Sequence, residues 1–368
     1  MGPLQGIRVV ELAGIGPGPF CGMLLADMGA DVLRIDRQDG ADSGVRIPPR
    51  LDLLNRNKRS VSVDLKSTQG RETVLRLVEK ADILIEGYRP GVTERLGLGP
   101  VDCQARNPRL VYGRMTGWGQ DGPLAQMAGH DLNYIALTGA LHAIGPQGGP
   151  PQVPLNLIGD FGGGALYLAM GVLAATLEAR ASGRGQVVDA AMVDGVASLM
   201  TLFHSLRQMG QWGLERGDNL FDGGAPFYAV YETLDGRHVS VAAVEPRFYA
   251  ILLDKLGLAG EALPGQYDRA GWPRLRQRLA EVFRSRSRDQ WDELFGTADA
   301  CFAPVLDLDE ARDHPLARER GMYCERDGVF QPSPAPRFSR TPGGVLLPPP
   351  EPGQHGRDAL CDWGVADD

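Results

Sequence analysis

The sequence has few cysteines and none of the patterns that pair them. Five thiols among 368 residues are scattered and odd in number, with no Cys-x-x-Cys spacing, at Cys21, Cys103, Cys301, Cys324 and Cys361. We therefore predict reduced thiols in a reducing compartment. The first residues show no basic region followed by an apolar run of signal length, and the final ValAlaAspAsp is no peroxisomal address, so we expect a cytoplasmic protein.

Long apolar runs and an excess of basic residues are also missing. The longest apolar stretch, residues 165–177, falls short of the ~20 residues that cross a bilayer, which predicts a buried helix and no membrane partner. Lys and Arg number 38 against 46 Asp and Glu, for a net charge of -8. This balance argues against a nucleic-acid partner whose binding depends on neutralising many phosphates.

Three kinds of catalytic motif are absent. There is no HisGluXaaXaaHis, no GlyXaaSerXaaGly elbow, and no glycine-rich stretch that ends in GlyLysSer or GlyLysThr. His204 and His238 have no partner at ligand spacing. We expect no metal and no P-loop nucleotide site.

What the sequence does contain is an alternation of strand and helix patterns. Apolar strand-like runs at residues 7–12, 31–35, 60–65, 82–85, 110–114 and 186–189 alternate with helical patterns at 20–28, 69–80, 162–181 and 190–208. This order predicts an α/β fold with a parallel sheet covered on both faces. Hydrophobic residues make up 43% of the chain, so a sizeable core can form.

A second pattern begins beyond residue 210. Residues 227–233 and 238–244 flank LeuAspGlyArg and predict an antiparallel hairpin, with helices at 247–256, 272–284 and 287–295. We predict a large domain at residues 1–200, a linker at 201–224, a smaller α+β domain at 225–310, and a linker plus proline-rich tail at 311–368.

The first strand is followed by GlyIleGlyProGlyPro at residues 14–19, and Asp36 follows the second strand. The pattern is close to a dinucleotide fingerprint, but Pro19 stands where a third glycine is expected and Arg37 follows Asp36. Two other interpretations stay open: a tight turn with Pro19 at the helix start, or a different nucleotide-bearing ligand held by the basic residues Arg37, Lys66, Arg89 and Arg95.

Three side chains are candidates for chemistry, each with an ordinary structural alternative. Asp160 precedes PheGlyGlyGly and is either a helix N-cap or a site residue. The glycines favour a site, because glycine is tolerated inside a helix mainly where the helix backbone must lie directly against another group. His130 opens a helical pattern and is either catalytic or an ordinary structural or solvated histidine, one of six in the chain. Glu245 precedes another helical pattern, where its alternative role is to interact with the helix dipole.

Several long segments together resemble the class III CoA-transferase superfamily over nearly the whole chain, and within it the branch of racemases. The resemblance lies in LeuGlnGlyIleArgValValGluLeuAla, AspIleLeuIleGluGlyTyrArgProGly, GlyHisAspLeuAsnTyr, AsnLeuIleGlyAspPheGlyGlyGly and AlaValGluProArgPheTyr. It implies a Rossmann-like large domain completed by the carboxyl-terminal tail, a small domain, and an interlocked homodimer.

The resemblance also implies a set of site residues. His130 and Asp160 would be catalytic, Glu245 would be the partner of His130, and the backbone amides around Asp131 would bind an enolate oxygen. The CoA moiety would be held by Arg37, Val63, Asp64, Leu65, Lys66, Gly87, Tyr88, Arg89, Arg95, Gly129, Leu132, Asn133 and Tyr134.

Proton transfer at the carbon α to a thioester explains why two bases would be needed. One base removes a proton from one face and the other returns a proton to the opposite face, with no metal or redox cofactor. The resemblance therefore predicts interconversion of (2R)- and (2S)-2-methylacyl-CoA thioesters. The alternatives are CoA transfer between carboxylic acids with Asp160 as nucleophile, and an acyl-CoA-binding protein without catalysis.

Overall fold

The computed structural model describes residues 2–38 and 45–365, which form two compact units. Within these ranges the first unit takes residues up to 138, 155–199 and 316 onward, and the second takes 139–154 and 200–315. The boundaries differ from the predicted ones in that residues 139–154 and the expected linker at 201–224 both belong to the second unit. The guanidinium of Arg216 joins these segments, donating to the carbonyls of His142 (2.7 Å) and Gly149 (3.0 Å).

The strands alternate with helices through the first half of the chain, as predicted. In chain order they are β1 (Arg8–Leu12), β2 (Asp31–Asp36), β3 (Arg59–Ser62), β4 (Ile83–Glu86), β5 (Val111–Thr116), β6 (Val187–Ala191), β7 (Tyr228–Glu232), β8 (His238–Ala242), β9 (Phe302–Pro304), β10 (Tyr323–Arg326) and β11 (Val329–Pro332).

The helices cover the sheet and build most of the second unit. They are α1 (Pro17–Asp27), α2 (Thr68–Val78), α3 (Val92–Arg95), α4 (Pro100–Arg106), α5 (Asp131–Leu137), α6 (Ala140–Ala143), α7 (Leu166–Ser182), α8 (Met192–Leu199), α9 (Thr201–Gln208), α10 (Pro246–Lys255), α11 (Trp272–Phe283), α12 (Arg288–Phe295), α13 (Leu308–Asp313), α14 (Pro315–Arg320) and α15 (Gly356–Asp362). A π-helix, Leu157–Ala165, runs directly into α7, and short 3-10 turns occur at Pro49–Leu51, Leu53–Asn55 and Arg269–Gly271.

The first unit is built on a parallel sheet with the strand order β3-β2-β1-β4-β5-β6, which confirms the predicted fold class. Its central strands are apolar without alternation: Ile83, Leu84 and Ile85 are all buried. A strand needs this pattern when helices cover both faces of the sheet. Accordingly, separate apolar cores lie on the two sides, one around α1 and α7 and the other around α2 and α15.

The prediction that residues 165–177 form a buried helix is wrong for one side of α7. Leu168 and Val172 pack in the core, whereas Leu166, Met170 and Leu177 are 51%, 61% and 70% exposed. By length and composition the continuous helix Leu157–Ser182 could cross a membrane, and 39% of its most apolar window is buried. Its inner face packs on the sheet, as in the core helix of a globular unit, and its outer face is left apolar.

The proline-rich tail returns to the first unit and is held there by hydrogen bonds to the side chains of Asn57 and Asp31. The Asn57 side chain donates to the carbonyl of Gly344 and accepts from the amides of Leu346 and Leu347. Trp363 is buried and donates its indole N–H to Asp31 (2.9 Å). The tail therefore completes the outer core of the sheet instead of ending the fold as a free extension.

The second unit contains the predicted hairpin. Strands β7 and β8 pair antiparallel, and β9 adds to β8 as a third strand. Helices α10, α11 and α12 cover this sheet through an aromatic core that includes Phe227, Trp272, Phe283 and Trp291.

Candidate active site

The candidate residues of the first unit cluster after the carboxyl ends of the parallel strands. The strand order reverses between β1 and β4, and the carboxyl ends of the strands at such a reversal are the usual ligand site of these sheets. Residues 14–19 follow β1, and Gly87, Tyr88 and Arg89 follow β4.

The turn after β1 does not have the chemistry of a dinucleotide site. Gly16 precedes α1 with φ +65°, and Pro17 is the first helical residue. Because Pro17 and Pro19 lack amide hydrogens, the first turn loses donors that a pyrophosphate would need. Asp36 is buried and already satisfied by the hydroxyl of Ser60 (2.6 Å) and by Arg34 (2.9 Å). The dinucleotide interpretation is therefore disfavoured, and the tight turn and a different nucleotide-bearing ligand both stay open.

Asp160 lies inside a helix, so the N-cap interpretation of this residue is wrong. The π-helix begins at Leu157, after Asn156, and places Asp160 in its first turn. The glycines that follow allow close approach to α8: a Cβ on Gly163 would lie 2.7 Å from a methyl carbon of Val196. π-helical turns that run into α-helices are frequent at functional sites.

The buried carboxylate of Asp131 connects the start of α5 to this π-helix. Its Oδ2 accepts the backbone amides of both Gly159 (2.6 Å) and Asp160 (2.8 Å). Asp131 is 4% exposed, so these charge-assisted bonds form away from bulk water. The backbone of Asp160 is thereby fixed relative to His130, the residue directly before Asp131.

The carboxyl group of Asp160 has a raised pKa. Burial is the largest cause and the negative charge of Asp131 adds to it, whereas a hydrogen bond from Asn156 Nδ2 to Asp160 Oδ2 (3.0 Å) and the positive charge of His130 act in the opposite direction. His130 is therefore close enough to interact electrostatically with Asp160. A half-buried carboxyl group with a raised pKa can both take up and return a proton.

The backbone at His130 is held by its own helix and by an aromatic ring. The amide of His130 donates to Asn133 Oδ1 (3.0 Å), and its extended φ and ψ leave the imidazole exposed at the start of α5. The hydroxyl of Tyr134 donates to the carbonyl of Gly129, and the Tyr134 ring lies so close that a Cβ on Gly117 would clash with it at 2.1 Å. The loop that carries His130 therefore lies directly against the helix it precedes.

The loop after β4 approaches the same place. Burial raises the pKa of the Tyr134 hydroxyl, the negative charge of Asp160 adds to this shift, and the positive charge of Arg89 opposes it. Arg89 and Asp160 therefore both lie within electrostatic range of this hydroxyl. The amide of Tyr88 donates to Glu86 (2.7 Å), and Glu86 in turn pairs with Arg114 (2.9 Å). Burial raises the pKa of Glu86 to about 7.

The remaining residues that we predicted to hold CoA follow the carboxyl ends of the strands, but some of their side chains are buried and cannot contact a ligand. Val63 and Leu65 are buried in the core, so only their backbone can meet a ligand. The exposed side chains in this set are those of Arg37, Asp64, Lys66, Arg89, Arg95, Leu132 and Asn133. Gly87 is exposed as well, and Gly129 is partly exposed.

Glu245 lies in the second unit, directly before α10, and its side chain is exposed. Burial raises the pKa of Tyr267 and of Cys301, and the negative charge of Glu245 adds to both shifts. Its expected pairing with His130 stays a prediction.

Asn156 and the buried pair Glu11 and Lys58 are site features that the sequence patterns did not single out. Glu11 had a detectable signal, because it is a carboxylate within the apolar run ValValGluLeu of a buried strand. Within residues 2–38 and 45–365, no cluster of three or more His, Cys, Asp or Glu side chains could hold a metal ion.

Comparisons with known proteins give a consistent family. The family described as CoA-transferase family III matches residues 4–356. The alpha-methylacyl-CoA racemases of Mus musculus and Homo sapiens are 44% and 42% identical to this chain over 365 residues, which cover 99% of this chain and 94% of each relative. The crystal structure of a CAIB/BAIF family protein from Brucella suis is similar with a TM-score of 0.85 and 27% identity, covering 98% of this chain and 99% of that one.

Two substitutions should move the pKa of Asp160 in opposite directions. Asp131→Asn keeps an oxygen that accepts the two amides but removes a negative charge, so we expect the pKa of Asp160 to fall. Asn156→Ala removes a donor to the ionised carboxylate, so we expect that pKa to rise. Carbon-13 NMR titration of the Asp160 carboxyl group measures both; shifts of the same sign, or none, would contradict this account of the site.

Proposed function

Because the chain belongs to CoA-transferase family III, we propose that it is an isomerase that interconverts (2R)- and (2S)-2-methylacyl-CoA thioesters. The substrate is the acyl-CoA itself, and the reaction needs no metal or redox cofactor. The observation that carries the proposal is that Asp131, the residue after His130, accepts the backbone amide of Asp160 (2.8 Å) and so brings an imidazole and a half-buried carboxyl group together.

His130 and Asp160 act as the two bases. One takes the proton from the α-carbon, which leaves a planar enolate, and the other donates a proton to the opposite face. Imidazole serves as acid or base near neutral pH because its ordinary pKa is ~6.5. Burial and the negative charge of Asp131 raise the pKa of Asp160, which increases the fraction of its carboxyl group that carries a proton to donate.

The enolate oxygen is bound by the amides at the start of α5. The amides of Asn133 and Tyr134 already donate to the carbonyl of His130 (2.8 and 3.3 Å). Those of Asp131 and Leu132 precede them in the first turn, where helix amides have no intrahelical acceptor. Oriented donors of this kind stabilise negative charge as it develops in the transition state.

Glu245 is the partner of His130 in this proposal. A carboxylate on the far imidazole nitrogen fixes the tautomer and stabilises the imidazolium. Glu245 is a positioning residue in this role, because it acts through His130.

CoA is held at the carboxyl edge of the sheet. Its phosphates need local positive charge on a chain of net charge -8, and the exposed side chains of Arg37, Lys66, Arg89 and Arg95 supply it. The backbone of Val63, Asp64, Leu65 and Gly87, together with Tyr88, Gly129, Leu132, Asn133 and Tyr134, completes the binding surface.

CoA transfer with Asp160 as nucleophile is the competing reaction, because the family takes its name from it. Attack by a carboxylate requires the ionised form of Asp160, and so does proton abstraction, so the raised pKa of Asp160 does not separate the two reactions. His130 has no necessary part in that attack, whereas proton return to the opposite face needs a second proton donor. The presence of His130 near Asp160 therefore favours proton transfer.

We further propose that the enzyme is a homodimer with interlocked chains. Leu166, Met170 and Leu177 give α7 an exposed apolar face, and single soluble chains rarely leave such a face uncovered. A second copy of the chain would cover it. The cytoplasm fits the protein as its compartment, because all five cysteines are free.

Deuterium exchange tests the reaction. One epimer of a 2-methylacyl-CoA, incubated with the protein in deuterated water, should gain α-deuterium and yield the other epimer without an acceptor acid. Mass spectrometry and chiral analysis of the acyl group measure both products. Movement of CoA to an added carboxylate, with no α-deuterium in the substrate, would replace the racemase with a transferase, and no turnover at all would leave an acyl-CoA-binding protein.

Separate variants of the two bases should show opposite preferences. His130→Ala and Asp160→Ala should each lower epimerisation ~100- to 10,000-fold, as is typical for loss of a general acid or base. Each should retain α-proton exchange on one epimer only, and not the same one. Glu245→Gln should lose less, because the imidazole remains, and His204→Ala is the control. Near-parent epimerisation, or exchange on the same epimer in both variants, would refute the two-base mechanism.

The dimer is tested by mass at low concentration. We expect sedimentation to give roughly twice 39.7 kDa down to nanomolar protein, because interlocked chains cannot separate without unfolding. Met170→Glu on the exposed face of α7 should impair assembly, whereas Val101→Glu, also at an exposed apolar position, should not. An active monomer would overturn the proposal.

A further inference from the structure

An ion pair lies fully buried beneath the turn that follows β1. Lys58 Nζ is 2.8 Å from both carboxylate oxygens of Glu11, and the side chains are 0% and 1% exposed. Burial raises the pKa of Glu11 and lowers that of Lys58. Since desolvation offsets most of the attraction in such a pair, stability alone is a weak reason for its presence.

Lys58 forms two further hydrogen bonds, and one of them is made to the start of α1. Its ammonium donates to the carbonyl of Pro19 (3.0 Å) and to Asn55 Oδ1 (3.0 Å), so its three donors are used. The helix backbone lies directly on the pair: a Cβ at Gly22 would be 1.8 Å from Glu11 Oε2 and 3.1 Å from Lys58 Nζ. The pair therefore fixes the position of the first turn of α1.

That first turn contacts Asp160 and the residues beside it. A Cβ at Gly16 would lie 3.2 Å from Asp160 Oδ2, so the glycine backbone lies close to the carboxyl group. The ring of Phe20 packs on that of Phe161, with centroids 4.5 Å apart. The side of Asp160 that faces α1 is thus bounded by a turn whose position depends on Lys58.

We propose that Glu11 and Lys58 are positioning residues for the reaction, and that they hold the Gly16 to Phe20 turn against the carboxyl group of Asp160. They touch neither substrate nor the reacting atoms, and they act through Pro19 and the turn. The inference rests on the proposed function for its kinetic consequence, but its structural consequence, the order of this turn, does not.

A second buried pair on the same helix supplies the control. Arg56 pairs with Asp27 (2.6 Å) at the other end of α1, with side chains 4% and 1% exposed, and also donates to Gln331 and the carbonyl of Pro332. It therefore fixes α1 and the tail but not the first turn. Both pairs draw their cations from the same short segment, so loss of either should destabilise the fold.

The experiment compares two single and two double variants with the parent. Lys58→Met and Arg56→Met each leave a buried carboxylate unpaired. Glu11→Leu with Lys58→Met, and Asp27→Leu with Arg56→Met, replace each pair by apolar side chains, which commonly restores stability. Thermal unfolding, kcat and KM for epimerisation, and amide hydrogen exchange of residues 16–25 and 157–165 are measured for each.

The expected result separates stability from activity. Both double variants should recover the unfolding temperature, but the Glu11 and Lys58 double variant should keep a kcat about 10- to 100-fold below the parent, because a misplaced group costs rate even far from the chemistry. Its KM should stay close to the parent value and its two segments should exchange faster. The Asp27 and Arg56 double variant should match the parent in kcat.

Two results would overturn the inference: recovery of kcat together with the unfolding temperature in the Glu11 and Lys58 double variant, or equal loss of kcat in both double variants. If the parent itself neither exchanges the α-proton nor epimerises, the proposed function fails and hydrogen exchange decides the inference alone. Unchanged exchange of residues 16–25 and 157–165 in the Glu11 and Lys58 double variant would then refute it.

Discussion

The arrangement of the site depends on one buried carboxylate acting as an acceptor. Asp131 receives the amides of Gly159 and Asp160, and so joins the start of α5 to the π-helix. Without it, the two segments that carry His130 and Asp160 would have no direct polar link at this point. The same charge opposes ionisation of Asp160, so one side chain sets both the position and the proton affinity of its neighbour.

The glycines of the π-helix follow from the same constraint. For Asp131 to reach two successive amides, the π-helix must lie close to α5, and on another side it packs equally closely on α8. A Cβ on Gly159 would be 2.7 Å from Asp131 Oδ2, and one on Gly195 would be 1.8 Å from the carbonyl oxygen of Gly163. Glycine is therefore required here by contact distance, at a cost in helix propensity of about 1 kcal/mol per residue relative to alanine.

Much of the fold was predictable because local patterns and global packing agree. The alternation of apolar strand patterns with helical patterns predicts covered parallel strands, and AspGly predicts the hairpin of β7 and β8. The site was less predictable from the residues alone, because its key contacts join distant positions: Asp131 to Asp160, and Lys58 to Pro19. Spacing reveals which residues share an element, but not which backbone amide a carboxylate 29 positions away will accept. The unpartnered outer face of α7 was missed for a related reason, since apolar composition does not distinguish burial within one chain from burial between two.

The sheet has the strand order of dinucleotide-binding folds, but the residues after β1 and β2 do not fit a dinucleotide. In those folds the first helix presents amides to a pyrophosphate and an acidic residue receives the ribose. Here Pro17 and Pro19 remove amide donors from the first turn, and Ser60 and Arg34 already satisfy Asp36. The turn therefore lacks the donors for a phosphate. Instead, the ammonium of Lys58 donates to its Pro19 carbonyl, and its Gly16 backbone lies close to the carboxyl group of Asp160. The topology thus brings these loops together where the strand order reverses, and the side chains at that point fit the proposed proton-transfer site better than a dinucleotide site.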